Sequence, residues 1–373
     1  MHTSDWQLGM TRAFLTPEAS ARFSQARIDV IGQLGELAAE REARFIIVAG
    51  DVFESNQVSR ETLVRTLDAL NTLSVPVFLL PGNHDPLDGA SIYATPEFAK
   101  AADHVTVLQD WVPVPVDEGV EVVGAPWKTK HPSGDLCAAL ASELEPAPRG
   151  TLRIAVGHGQ VDQLSPDTSR PEIIDLAKAE QAIVGGRFHY LGLGDRHSVT
   201  DVGSTGRIWY SGTPVATDFD EVDPNKALLV ELDPSADSCS VEAVPVGDWH
   251  FVAEAFPLNG QQDLERFAAW LDGLPAKQRI AVKVGLEGSV NLATAAALDN
   301  VFASRADLFA SLRRRARTTD LAIVPDELDH DSLSLSGYAG KTYDQLLAQS
   351  DDGDDVARDA LRLLYRLSRQ EAG

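Results

Sequence analysis

The sequence predicts a layered α/β fold over its first two-thirds, followed by a smaller α+β unit and a helical tail. Short apolar runs alternate with longer segments whose apolar residues recur at helical spacing. The later part of the first unit is instead rich in strands, which favours packed sheets over a single doubly wound sheet. The pattern restarts near residue 246, and this restart indicates a second core.

The first unit opens with a helix and continues as strands separated by helices. Apolar residues recur at helical spacing between residues 17 and 44. Residues 45–49 form a compact apolar run that Gly50 ends, as expected of a buried strand. A second helix is predicted at about residues 58–73. Further strands are predicted at residues 75–80, 105–108, 120–125, 152–156, 190–193, 208–210, 227–232 and 241–244.

The remaining chain predicts a capping unit and a tail. We expect the first domain to cover residues 1–245, an α+β capping domain 246–340 and the helical tail 341–373. Within the cap, strands are predicted at 251–255, 279–286 and 321–325, and helices at 263–274 and 292–317. The tail has leucines at helical spacing, broken by an acidic segment at 351–355. Such an amphipathic element is a candidate docking site for a partner protein, or packs on its own cap domain.

The composition is that of a globular protein that remains in the cytoplasm. Of its residues 44% are hydrophobic and 24% charged. No apolar run reaches the roughly 18 residues that a membrane helix needs, and no signal segment precedes the first motif. Cys137 and Cys239 are too few for a disulfide framework. We therefore expect no membrane partner.

The charge disfavours a simple nucleic-acid-binding protein. The chain carries a net charge of −24, whereas a protein that neutralises many phosphates normally has a basic face. An arginine run is expected on a solvated helix face or in a last helical turn. The basic groups are Arg313, Arg314, Arg315 and Arg317, with Lys128, Lys130 and His131 elsewhere.

Five polar motifs gather where the apolar runs of the first domain end. They are Asp5-Trp6-Gln7, Gly50-Asp51-Val52-Phe53-Glu54, Gly82-Asn83-His84-Asp85, Gly157-His158-Gly159 and Gly194-Asp195-Arg196-His197. Strand ends are where α/β proteins build their sites. Each motif alone is typical of a capped turn, but five in this order indicate a site. Asp, Asn and His without Cys favour Mn²⁺, with Fe or Zn²⁺ as alternatives.

The order of these motifs resembles that of the calcineurin-like metallophosphoesterases. Within that superfamily, the flanks at residues 2–9 and 190–194 are similar to the SbcD-type DNA repair exonucleases, as is Trp209-Tyr210-Ser211-Gly212-Thr213-Pro214. The resemblance covers residues 1 to about 245. It implies a four-layer α/β/β/α sandwich, two divalent metal ions, and phosphodiester hydrolysis at DNA ends. It also implies an SbcC-type, SMC-like ATPase partner and a homodimer.

The resemblance assigns roles position by position. One metal ion would be held by Asp5, Gln7, Asp51 and His197. The other would be held by Asp51, Asn83, His158 and Asp195. Asp51 would then bridge the two ions. His84 would be the acid that protonates the leaving oxygen, and Asp85 would orient it.

Three positions depart from the family pattern. Gln7 and Asp195 stand where the family has metal-binding histidines. Asp195 still offers an anionic oxygen, but Gln7 offers only a neutral amide oxygen, so we expect the Gln7 site to be the weaker one. Glu54 replaces an aspartate and is expected to support the ligands from outside.

Two alternatives to a nuclease remain at this stage. One is a phosphodiesterase for nucleotides or other small esters, which the acidic charge favours. The other is a degenerate phosphoesterase that serves as a scaffold for the ATPase. Only Met1–Ser4 precede the first motif, so either the first strand is short or the start lies downstream of the true one.

Overall fold

The computed structural model describes residues 1–233, 237–315, 319–323, 337–351, 354, 356–357, 359–361 and 363–364. The chain divides into two compact units. The first contains Met1–Ala13 and Ser20–Trp249, and the second contains Phe14–Ala19 and His250–Gly373. The sequence pattern placed the boundary at residue 245 and did not indicate that Phe14–Ala19 joins the second unit. No helix of the described part is long and apolar enough to cross a bilayer.

The first unit contains two six-stranded sheets and four α-helices within the described residues. In chain order its elements are β1 (His2–Thr3), α1 (Pro17–Glu40), β2 (Ile46–Val48), α2 (Arg60–Asn71), β3 (Val77–Leu79), β4 (Val105–Val107), β5 (Val114–Asp117), β6 (Val120–Gly124), α3 (Leu136–Glu143), β7 (Leu152–His158), α4 (Leu176–Val184), β8 (Tyr190–Gly194), β9 (Val199–Asp201), β10 (Ile208–Ser211), β11 (Lys226–Asp233) and β12 (Ser238–Pro245). One sheet has the order β12-β11-β1-β2-β3-β4 and the other the order β5-β6-β7-β8-β10-β9.

The side-chain alternation of β2 shows how the layers pack. Ile46 and Val48 pack with apolar residues of α1 and α2, whereas Ile47 points the other way. Ile47 belongs to a core that contains residues of both sheets, such as Val122 and Ile154. Helices α3 and α4 cover the outer face of the second sheet. The predicted α/β/β/α sandwich is therefore confirmed.

Parallel pairing places the loops that carry the polar motifs at the ends of neighbouring strands. β1, β2 and β3 are parallel neighbours, with His2 opposite Ile47 and Ile46 opposite Val77. β7 and β8 are parallel neighbours in the other sheet, with Ile154 opposite Tyr190. Because parallel strands end at the same sheet edge, the polar motifs that follow them lie side by side.

The second unit has a parallel four-stranded sheet. Its elements are β13 (His250–Pro257), α5 (Gln261–Gly273), β14 (Ile280–Val290), α6 (Leu292–Arg305), β15 (Ser311–Arg314), β16 (Asp320–Ile323) and α7 (Gly337–Asp351). The predicted helix over residues 292–317 is wrong beyond Arg305, because Ser311–Arg314 pairs with β14 instead. Burial of Phe309 and Ala310 directs the chain back to the sheet and overrides the helical propensity of the segment.

The arginine run accordingly lies on a strand. Arg313 stacks over the ring of Phe14 and Arg314 over that of Phe302, at 4.4 and 4.9 Å from the ring centroids. These contacts engage the arginines within the second unit. Arg317 lies outside the described residues.

The tail is described only in part. Tyr343 and Leu361 are buried in a small cluster, and Leu346, Leu347 and Leu364 are partly buried against it together with Ala322. Leu367 and most of the acidic segment at 351–355 lie outside the described residues. Docking of a partner on the tail stays a prediction.

Candidate metal centre

Every predicted ligand lies at the end of a central strand. Asp5 and Gln7 follow β1, Asp51 follows β2, and Asn83 follows β3. The other three are contributed by the second sheet: His158 is the last residue of β7, and Asp195 and His197 follow β8. The loops pair through backbone hydrogen bonds, Asp5 N to Gly50 O and Gln7 N to Asp51 O.

The backbone is strained at four of these positions. Asp5, Gln7, Asp51 and Asp195 adopt left-handed conformations, with φ of 54°, 43°, 52° and 94°. Such conformations cost side chains with a Cβ roughly 1 kcal/mol or more each, and they persist where the surroundings impose them. The strained positions are concentrated where the predicted ligands converge.

Glycine allows the two sheets to approach each other at this edge. A Cβ on Gly50, whose φ is +89°, would lie 2.1 Å from His158 Nδ1. A Cβ on Gly194 would lie 1.9 Å from Ala49 O. The hydrogen bond between His158 and Ala49 described below therefore needs glycine at both positions.

His158 brings one set of ligands together. Its Nδ1 lies 2.8 Å from Ala49 O, and a carbonyl only accepts, so Nδ1 carries the proton and donates. Its Nε2 then faces three oxygens, at 2.7 Å from Asn83 Oδ1, 3.4 Å from Asp51 Oδ1 and 3.9 Å from Asp195 Oδ1. Four potential ligand atoms thus surround one point.

A second set lies on the other side of Asp51. His197 Nδ1 donates to Glu221 Oε1 at 2.9 Å, so its Nε2 carries the lone pair with which it would bind a metal ion. That Nε2 lies 3.8 Å from Asp5 Oδ1 and 3.4 Å from Gln7 Nε2. The ligand atoms of Asp5, Asp51 and His158 all lie within 4.8 Å of one another, so the two sets are adjacent.

The charges of the centre are not balanced by the side chains alone. Burial raises the pKa of Asp5 and of Asp195. Burial lowers the pKa of His158, but Asp51 and the neighbouring carboxylates outweigh it and raise that pKa well above its usual value. The pKa of His197 is likewise raised, because Glu221 and Asp5 outweigh burial. The cluster therefore favours added positive charge.

These residues fit a divalent cation. The lone pair of His158 Nε2 and the oxygen of Asn83 oppose each other at 2.7 Å, an arrangement that needs a proton or a cation between them. Gln7 Oε1 is buried and has no hydrogen-bond partner in the described part of the chain. A buried oxygen without a donor is costly unless a cation completes it. Oxygen and imidazole donors without thiolate suit a hard or borderline divalent ion.

His84 lies beside the ligands but is held differently from the prediction. Its Nδ1 donates to Glu54 O at 2.9 Å, and its Nε2 lies 3.9 Å from Asp51 Oδ2. Asp85 does not orient it. The Asp85 carboxylate instead accepts from Gly82 N, Phe53 N and Tyr93 Oη, at 2.8, 3.0 and 2.6 Å. Asp85 thus fixes the two loops, and the backbone oxygen of Glu54 holds the His84 ring.

The comparison with protein families agrees with this geometry. Residues 1–186 match the calcineurin-like phosphoesterase model. The chain contains a calcineurin-like metallophosphoesterase domain. Two solved structures are similar at low identity. The structure of TT1561 from Thermus thermophilus is 11% identical, with a TM-score of 0.39, and the match covers 65% of this chain and 96% of that one. A second structure is 16% identical, with a TM-score of 0.39, and covers 65% and 97%.

Arg27 is a supporting residue of the phosphoesterase domain that sequence reasoning missed. Arg27 of α1 is 1% exposed. Its Nη1 donates to Trp6 O at 2.5 Å, and its Nη2 donates to Val215 O at 3.3 Å and to Ala216 O at 3.4 Å. It thereby joins the loop that carries Asp5 and Gln7 to the loop that leads into Thr217 and Glu221.

Glu221 was also missed, although it orients a predicted ligand. It is buried beside His197, and it accepts from the backbone N of Thr217 as well. No motif marked it, because the segment between residues 215 and 225 has no strand pattern in the sequence. Metal-ligating histidines generally donate their second N–H to a carboxylate or a carbonyl. The prediction of His197 as a ligand was therefore the one signal that a group such as Glu221 lies beside it.

Proposed function

We propose that the chain is a metal-dependent phosphodiesterase that hydrolyses DNA ends together with an SMC-type, SbcC-like ATPase. The observation that carries the proposal is the convergence of seven predicted ligands from both sheets, with His84 beside them. Membership of the domain in the phosphoesterase family supports phosphoester hydrolysis. The flanking motifs named in the sequence analysis support DNA as the substrate.

The chain's own residues have distinct tasks in this proposal. Two Mn²⁺ ions, when bound by the two ligand sets, supply positive charge for the phosphate oxygens of the substrate. His84 is placed to donate a proton from Nε2 to the leaving oxygen, because Nδ1 is engaged with Glu54 O. Asp85 and Tyr93 hold the loop that carries His84.

A small phosphodiester is the second candidate substrate, and one observation favours it. The net charge of −24 repels a long polyanion, whereas it matters less for a short substrate that is held mainly by the metal ions. In the nuclease proposal the ATPase supplies the extended DNA contact. The chain alone is then expected to act on short substrates and poorly on duplex ends.

Hydrolysis with and without His84 tests the proposal. Mn²⁺-dependent release of nucleotides from labelled short oligonucleotides, and from duplex ends with the ATPase added, is measured for wild type and His84→Ala. The control is His250→Ala, which changes an exposed histidine of β13. We expect His84→Ala to lose at least about 100-fold in rate, typical of a general acid, while it still binds Mn²⁺. The control should retain the rate.

The alternatives give different results in the same assay. Hydrolysis of bis(p-nitrophenyl) phosphate without any nuclease activity, even with the ATPase added, would favour the small-substrate enzyme. Absence of both activities in a protein that binds the ATPase would favour the scaffold. The ATPase and a homodimer remain proposals that co-purification and sedimentation test.

A further inference from the structure

A cleft beside His84 has no assigned role in the chemistry described above. Its volume is about 340 Å³, and Asn83, His84 and Asp195 form the wall next to the metal centre. We propose that this cleft binds a phosphate group on the fragment that leaves. The proposal rests on the phosphodiesterase function and extends it to the choice of substrate.

The position of the cleft identifies which side of the substrate it receives. His84 is the group placed to protonate the leaving oxygen, so the leaving fragment lies on the His84 side of the scissile phosphate. Trp127 forms a fixed wall there, since its Nε1 donates to His158 O at 2.8 Å. A fragment that departs past His84 therefore enters this cleft.

The charge of the cleft indicates an anion. Lys130 and His131 line it from the loop after β6, and Arg170 lines it from the loop before α4. Two carboxylates also line it: Asp195, which belongs to the metal centre, and Glu172. Arg170 is held by Glu172, whose Oε1 accepts from Arg170 Nε at 2.8 Å. Lys130 has no carboxylate within 4.0 Å among the described residues, so its ammonium is available to a ligand. This grouping lies next to the metal centre although the chain has a net charge of −24.

The cavity on the opposite side of the metal centre is lined by more negative than positive charge. Its volume is about 390 Å³, and it reaches His197 and Asp195. Arg12 and Arg196 line it, but so do Asp218, Asp220 and Glu221. Carboxylates therefore outnumber cations on that side. An extra phosphate is better accommodated beside Lys130 and Arg170 than beside these acids.

The size of the cleft suits one nucleotide. Pockets for small ligands measure roughly 300–1,000 Å³, and 340 Å³ lies near the lower end. The cleft therefore fits the terminal phosphate and sugar of one departing nucleotide. A departing fragment that carries a phosphate should bind better than one that carries none.

Dinucleotides test this inference. The KM for hydrolysis with Mn²⁺ is compared for TpT, for pTpT and for TpTp, and the products show which nucleoside departs. We expect the substrate whose departing nucleoside carries the phosphate to have a KM roughly fivefold below that of TpT. A factor of this size corresponds to the free energy of one exposed ion pair. The preference should shrink at a salt concentration of about 0.5 M, where screening is strong.

A matched pair of double variants assigns the effect to the cleft. In Lys130→Gln/Arg170→Gln the KM ratio between TpT and the preferred substrate should fall to about one. Lys128→Gln/Arg149→Gln removes the same charge from exposed positions outside the cleft and should keep the ratio. A wild type without preference, or a preference that survives in the cleft variant, overturns the inference alone. No hydrolysis of any dinucleotide overturns the proposed function, and the cleft assignment with it.

Discussion

Gln7 is the predicted ligand that departs most from the donors that divalent ions prefer. Its side chain lies at the ligand position, 3.4 Å from His197 Nε2, and its buried Oε1 has no partner in the described part of the chain. A neutral amide oxygen is a weaker donor than imidazole for Mn²⁺ or Zn²⁺. We therefore expect the set around Asp5 and His197 to bind an ion less tightly than the set around His158.

Restoring an imidazole at this position tests that ranking. In Gln7→His we expect the weaker of two Mn²⁺ binding events to tighten by about tenfold. This is the lower end of the changes in metal affinity that follow when residues around a bound metal are altered. Isothermal titration calorimetry measures both events. Gln33→His, at an exposed position of α1, is the control. Equal affinity of the two events in wild type would contradict the ranking.

At the residue scale, the sequence marks the candidate ligands but not the residues that support them. Asp51, Asn83 and His158 stand in motifs directly after apolar runs, so the sequence marks them. Arg27 is linked to the site by hydrogen bonds to backbone carbonyls nearly 190 positions away in the chain. Such contacts carry no residue pattern, because any residue supplies a carbonyl.

At the scale of elements, α1 and the two ligand loops act as one unit through Arg27. Arg27→Met would leave the carbonyls of Trp6 and Val215 without their charged donor. We expect a loss of about 3 kcal/mol in the free energy of unfolding and weaker Mn²⁺ binding by the folded protein, with partial recovery in Arg27→Lys. Urea denaturation and calorimetry measure the two effects.

The control for Arg27 separates a positioning role from a structural one. Arg22→Met removes an exposed arginine of the same helix and should change neither quantity. If folded Arg27→Met binds Mn²⁺ as tightly as wild type, Arg27 only stabilises the fold.

The short central strand β1 makes the stability sensitive to pH. His2 is buried between the sheets, where its Nδ1 meets Tyr190 Oη at 2.9 Å and its Nε2 donates to Leu193 O at 3.2 Å. Burial lowers the pKa of His2 to about 3, whereas the unfolded chain has the ordinary value of about 6.5. Below about pH 6.5 the unfolded state binds the proton and the folded state does not.

Acidification should therefore destabilise the wild type through His2. Between pH 7 and pH 5 we expect it to lose about 2 kcal/mol more than His2→Gln, since each pKa unit corresponds to about 1.4 kcal/mol. Urea denaturation at several pH values measures the difference. His250→Gln, an exposed control, should follow the wild type, and parallel curves for wild type and His2→Gln would contradict the prediction.

Element boundaries followed the sequence where packing agreed with local propensity. α1 and the central strands lie close to their predicted positions because their apolar faces coincide with the core. The end of the helix predicted over residues 292–317 failed, because pairing of Ser311–Arg314 with β14 outweighs helical propensity. The helices α3 (Leu136–Glu143) and α4 (Leu176–Val184) were missed, since each is too short for a clear period.

At the scale of the whole molecule, the fold concentrates buried charge at one edge. The chain has 56 acidic and 32 basic residues, and most acids remain in water. Asp5, Asp51 and Asp195 are instead held together between the two sheets, with Asp5 fully buried. Buried like charges are costly unless a cation joins them. The sandwich therefore gathers a candidate metal centre at this edge.

Anomalous diffraction at the manganese edge, from crystals grown with Mn²⁺, tests this metal centre most directly. We expect a strong peak within about 2.5 Å of an Asp51 carboxylate oxygen and near His158 and Asn83, at the distance typical of hard divalent ions. A second, weaker peak should lie roughly 3.5–4 Å away, between Asp5, Gln7 and His197. No peak beside Asp51 at millimolar Mn²⁺, or a peak confined to surface carboxylates, would contradict a metal centre at this edge of the sheets.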